Sequence, residues 1–192
     1  MRDLSSCNQY EIKRQFFKFV GANFRIFDNT GALVYMSHQK GFKLKEEIQV
    51  FYDEEQTQLA FSIHARQIID FSAAYDVIDA ATGQKIGALR RQGFKSMIRD
   101  EWHVLDANDR QIATVIEDSQ LLALVRRFLS ALVPQNYDFL MNDGLRIVDL
   151  RQHWNPLLYW MTIEFTDHGA GVDRRIGIAT AILLAAIEGR ER

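Results

Sequence analysis

Disulfide chemistry is closed to this chain, which has a single cysteine, Cys7, in 192 residues. No intramolecular bridge can form, and nothing in the cysteine usage points to an oxidising compartment. The opening MRDLSSCNQYEIKRQFF has no apolar run of signal-peptide length, and its alternating charges do not suit a transit peptide. No export signal is read there, and a cytoplasmic protein is expected. Charge of one sign is missing too: 23 basic residues oppose 25 acidic ones, for a net charge of −2 and a pI near 6.2. General attraction to nucleic acid is therefore not expected, and any polyanion partner needs a local patch.

Catalytic and cofactor signatures are also absent. The sequence contains no phosphate-binding Walker loop, no glycine-rich dinucleotide fingerprint and no Gly-x-Ser-x-Gly elbow. His38, His64, His103, His153 and His168 lack the short spacings of a zinc site. No metal, cofactor or catalytic residue is expected. Glu164, Asp167 and His168 offer acid–base groups near a strand end, but a turn at HGAG accounts for them equally well. What remains is ordinary globular composition, 47% apolar and 25% charged, in a 22.2 kDa chain sized for one domain.

One phrase recurs: FRIFDNTG at 24–31, YDVIDAATG at 75–83, WHVLDAND at 102–109 and, more loosely, YDFLMNDG at 137–144. Each begins with an aromatic and β-favouring residues in period-two alternation and ends in turn formers. An alternating apolar stretch follows each copy, so each predicts a β-hairpin. Further strands are predicted at 46–53, 58–65, 66–71 and 157–166, for roughly a dozen in all. The copies are unevenly spaced, which excludes a solenoid of fixed period. Trp102, Trp154, Tyr159 and Trp160 are expected in the core of such a sheet system, rather than stacked on bases.

Two segments break the β pattern. From Ser119 to Pro134 the apolar residues Leu121, Leu122, Val125, Phe128, Leu129 and Leu132 form one stripe, predicting an amphipathic helix with Arg126 and Arg127 off that stripe. The second, Ile176–Ile187, is apolar on every side, with Asp173 placed to cap it. Such a helix is enclosed either by protein or by lipid. Twelve residues rise only about 18 Å against about 30 Å of bilayer hydrocarbon, so it cannot span. Gly177, Ala179, Ala181, Ala185 and Ala186 would let strands approach it closely.

Together, IFDNTGALVY, SHQKGFKLKEEIQVF, the stretch from ARQIIDF to WHVLD and the final DRRIGIATAILLAAIEGRER resemble the tubby C-terminal-like superfamily. More closely, they resemble the LURP-one-related proteins and their phospholipid-scramblase-like cousins. The resemblance runs from about Phe16 to the end, which sets residues 1–15 apart as an N-terminal extension and 16–192 as a single domain. It implies a mainly β fold: a closed antiparallel barrel of about twelve strands around a buried apolar C-terminal helix. It also implies a link to membrane lipid, since tubby domains bind phosphoinositide headgroups through surface basic residues. The palmitoylated cysteine-rich segment and acidic calcium motif of scramblases have no counterpart here, so scrambling is not implied.

Between Ala80 and Asp100 the only charges are Lys85, Arg90, Arg91, Lys95 and Arg99. These five are the candidate anion-binding residues, for a phosphoinositide or phosphatidylserine headgroup at the cytoplasmic membrane face. Strand alternation prevents Arg90 and Arg91 from serving one patch together. Three basic residues near an anionic membrane give about 3 kcal/mol, weaker than millimolar binding, so useful affinity needs specific phosphate contacts or help from Lys40, Lys43 and Lys45. The alternative is that these are solvated residues facing Asp100 and Glu101 or the acidic run Asp53–Glu55, in a module that binds a protein partner and no lipid.

Overall fold

A computed structural model describes residues 7–17, 21–39, 47–66, 73–92, 101–117, 134–155, 158–169 and 171–188. Twelve strands lie among them: β1 (Gln9–Phe17), β2 (Gly21–Asp28), β3 (Leu33–Gln39), β4 (Ile48–Phe51), β5 (Leu59–Ala65), β6 (Ala74–Asp79), β7 (Lys85–Arg91), β8 (Glu101–Asp106), β9 (Gln111–Glu117), β10 (Asn136–Met141), β11 (Arg146–His153) and β12 (Leu158–Phe165). A 3-10 turn at Asp167–Gly169 leads into the helix α1 (Arg174–Glu188). Apart from Arg66 and Pro134, the strand expected over 66–71 and the helix expected from Ser119 lie outside the described residues.

Each strand pairs antiparallel with its sequence neighbours, and β1 closes on β12 from Gln9↔Glu164 to Gln15↔Leu158. The barrel thus begins earlier than residue 16: Tyr10, Ile12 and Arg14 alternate inward from a segment whose intervening Glu11 and Lys13 hide it among polar residues. Antiparallel pairing puts alternate connections at opposite ends. One end, the hairpin rim, carries the tight turns after β2, β4, β6, β8 and β10 and the passage from β12 to α1. The strand ends flanking the connections after β1, β3, β5, β7, β9 and β11 form the opposite rim.

The repeated phrase has a physical explanation at these turns. Asp28 Oδ1 accepts from the amides of Thr30 (2.9 Å) and Ala32 (3.0 Å), and Asp106 Oδ1 from Asn108 (2.8 Å) and Arg110 (2.9 Å). The strand-ending Asp therefore folds the turn with its own side chain. Gly31, Gly83 and Gly144 then reverse the chain at φ of 80°, 67° and 84°, a region that costs glycine little, and Asp109 does the same at 62°. A register shift in each hairpin strand pair absorbs the extra residue.

Helix α1 fills the barrel. Twelve strands about 4.8 Å apart, tilted about 40°, close a ring roughly 24 Å across, which leaves room for one helix and one layer of inward side chains. Ile176, Ile178, Ala179, Ala181, Ile182, Leu183, Leu184, Ala185 and Ala186 are all at most 3% exposed. Small residues permit that fit: a Cβ on Gly177 would stand 2.6 Å from the Phe165 ring. Among the described residues no helix is long and apolar enough to cross a membrane. Interior positions are apolar while outward ones on β10 and β11 carry Asp138, Asp149 and Arg151, the reverse of the polarity of a lipid-embedded barrel.

The N-terminal segment holds both ends of α1. Asp173 caps the helix by accepting from the Arg175 amide at 2.9 Å. Buried Arg174 donates to the carbonyls of Cys7 (3.2 Å) and Gly169 (2.9 Å) and to Asn8 Oδ1 (2.9 Å). At the other end Arg14 donates to the Ala185 carbonyl. A cation there complements the negative end of the helix dipole.

Candidate functional site

The candidate basic residues begin on β7, between β6 and β8. Lys85 opens the strand and is held by two carboxylates, Asp109 at 2.7 Å and Asp76 at 3.5 Å. Arg66, just after β5, forks onto the same pair: Nε to Asp76 Oδ2 at 2.8 Å, and Nη2 to Asp76 Oδ1 and Asp109 Oδ1, both at 2.5 Å. Two cations and two anions from four elements thus form a neutral quartet. Hydrogen bonds from Lys85 and then Arg66 hold the Asp109 carboxyl down at about 2. Burial pushes Asp76 up, but the hydrogen bond and charge of Arg66, with Lys85, outweigh it and leave the group lowered. The charge of Lys85 is already matched here.

Arg90 and Arg91 end β7 at the opposite rim and diverge, as strand alternation demands. Arg91 lies 6.0 Å over the ring of Trp102, its register partner, which is 2% exposed and 6.0 Å from Tyr75. Arg91 therefore leans against the edge of the core. Arg90 projects to the outer face, in register with Ala74 on β6 and His103 on β8. His103 contacts Gln92 Nε2 at 2.7 Å and Glu101 at 3.4 Å. Among the described residues Arg90 has no ion-pair partner. Lys95 and Arg99 follow in the β7–β8 connection, outside the described residues, as are Lys40, Lys43 and Lys45.

The remaining polar residues do not converge. Glu164 is exposed on β12, while Asp167 and His168 form the turn that launches α1. Among the described residues no three His, Cys, Asp or Glu side chains gather in a metal-holding arrangement. Trp102 and Tyr159 are buried, whereas Trp154 is 58% exposed because it follows the end of β11, where no adjacent strand covers it.

Residues 35–149, more than half of the chain, match the LURP-one-related (LOR) family. The chain belongs to the LURP-one-related family. That family lies within the tubby-like superfamily, in keeping with the closed antiparallel barrel and its C-terminal helix. No curated protein matches the chain. The LURP-one-related match runs from β3 into β11 and contains all five candidate residues, Lys85, Arg90, Arg91, Lys95 and Arg99. It leaves out β1, β2, β12 and α1, which complete and fill this barrel. The quartet of Arg66, Asp76, Lys85 and Asp109 is the feature that sequence reasoning missed. Its members are separated along the chain and meet only through strand register, so no local pattern announces them.

Proposed function

We propose that this LURP-one-related barrel is a non-enzymatic binding protein that takes an anionic phosphate-bearing headgroup, as of a phosphoinositide or phosphatidylserine, at the rim where β7 ends. The observation that carries this reading is the outward Arg90, a cation with no ion-pair partner among the described residues, at the head of a connection whose sequence adds Lys95 and Arg99. Charge along the chain favours the same end. The six connections flanked by strand ends at this rim contain nine basic and five acidic residues, in a chain whose net charge is −2. Arginine suits phosphate because its planar fork donates two parallel hydrogen bonds. Arg91 contributes charge at the same rim from the inner side. Lys85 is the weakest candidate of the five, since Asp76 and Asp109 already neutralise it.

Peripheral attachment at the cytoplasmic membrane face follows from this reading. Co-sedimentation with vesicles of phosphatidylcholine alone, or with added phosphatidylserine or phosphoinositide, over a salt series tests it. Binding to one headgroup that survives salt and is lost in an Arg90→Glu, Lys95→Glu variant is the expected result. Equal behaviour of the variant and the parent would overturn the site, and absence of binding to every vesicle would favour a protein partner instead.

A further inference from the structure

The two rims of the barrel differ in charge. The connections of the hairpin rim, residues 29–32, 52–58, 80–84, 107–110, 142–145 and 166–173, carry seven carboxylates (Asp53, Glu54, Glu55, Asp109, Asp143, Asp167 and Asp173) against one cation, Arg110. Pairing offsets part of this: Arg175 binds Asp173 and Asp79 at 2.7 and 2.9 Å, Lys85 and Arg66 hold Asp109, and Arg25 reaches Glu54 at 3.2 Å. That leaves Asp53, Glu55, Asp143 and Asp167 as the unmatched carboxylates of this rim among the described residues. Opposite them, at the rim of Arg90 and Arg91, stands Trp154, the most exposed large apolar side chain among the described residues at 58%.

The backbone on both sides of Trp154 is tied down by its neighbours' side chains. The preceding His153 stacks on Trp160 with ring centroids 4.3 Å apart and reaches Thr162 Oγ1 at 2.6 Å. The following Asn155 accepts from the Leu158 amide through Oδ1 at 3.1 Å, tying the connection to β12. With the backbone around Trp154 already anchored, inserting the exposed indole requires ordering of the side chain alone. Tryptophan also favours the bilayer interface, where its ring meets acyl chains and its N–H meets headgroups and water.

Resting on the lipid reading above, we infer that the barrel docks end-on against an anionic bilayer, with Trp154 at headgroup level and the acidic hairpin rim turned away. The charge difference orients the approach, and the indole supplies an apolar anchor that Arg90 and Arg91 lack. The other exposed apolar pair, Met141 and Leu145 at 38% and 42%, lies on the acidic rim with Asp143 between them, where an anionic surface repels the approach.

The chain carries its own reporter. Of its three tryptophans, Trp102 is 2% exposed and Trp160 has a buried indole nitrogen, so a change in solvent polarity at the rim reads out through Trp154. The full chain is titrated with phosphatidylcholine vesicles with and without phosphatidylserine or phosphoinositide, following tryptophan emission and co-sedimentation together. The expected result is a blue shift on anionic vesicles that disappears in Trp154→Phe, and roughly tenfold weaker partitioning in Trp154→Ser. Co-sedimentation with unchanged emission, or Trp154→Ser partitioning as the parent does, overturns the docking geometry while leaving lipid recognition intact. Failure of the parent chain to co-sediment with any vesicle removes both.

Discussion

The guanidinium of Arg14, 0% exposed on the first strand, donates to the carbonyl of Ala185 near the end of the helix that the barrel encloses. Its carbon lies 5.3 Å from the Phe24 ring centroid, so the cation is packed on an aromatic face as well. A strand from the start of the chain thereby fixes a helix from its end. Deleting this side chain removes a charge-assisted hydrogen bond and leaves a cavity, so Arg14→Ala lowers unfolding free energy by about 3 kcal/mol. Arg14→Met, which keeps most of the volume, loses less. Urea denaturation of the two variants measures the order; equal stability of Arg14→Ala and the parent would refute the anchoring role.

Helix α1 is the filling of the barrel, since its residues from Ile176 to Ala186 that face strands are almost wholly buried. A chain ending at Asp173 exposes the apolar inner faces of twelve strands and is expected to be insoluble. Solubility and cooperative unfolding of that truncation would overturn the role given to the helix.

Gly87 lies where β7 meets both β8 and the helix. A Cβ there would stand 2.6 Å from the Leu105 carbonyl oxygen and 2.9 Å from Ile176 Cδ1. Backbone cannot yield as a side-chain tip does, so Gly87→Ala costs about 2 kcal/mol. A thermal melt unchanged from the parent would show that the strands can separate there.

Acid weakens the quartet around Lys85. The folded-state value of Asp109, about 2, lies below its ordinary value near 3.9, so its contribution is full above the ordinary value and is lost as pH falls toward 2. Asp76 is shifted in the same direction. Stability followed from neutral pH to pH 2 is expected to fall across that window in the parent and less steeply in Asp109→Asn. Identical acid limbs would exclude Asp109 from the effect.

Lys85 and Arg90 are expected to separate stability from binding. Lys85→Gln disturbs the quartet and lowers stability slightly, with vesicle affinity unchanged, whereas Arg90→Gln lowers affinity and leaves stability within about 0.5 kcal/mol. Parallel melts and co-sedimentation resolve the two, and a shared loss of affinity would return Lys85 to the site.

By itself the sequence determined the hairpins, because a strand-ending Asp and a positive-φ residue are local devices that need no distant partner. It also pointed to a non-spanning, protein-enclosed helix over 176–187, because that segment is apolar on every side and rises too little to cross a bilayer. The start of the barrel was hidden because Glu11 and Lys13 interrupt the apolar residues of β1, and only pairing with β12 and β2 reveals a strand. Within the basic stretch, alternation already separated Arg90 from Arg91. Tertiary structure alone matched Lys85 with Asp76 and Asp109, placed Arg91 on Trp102 and left Trp154 uncovered at the rim. Charge matching between distant strands depends on register, and register is a property of the closed sheet rather than of any segment within it.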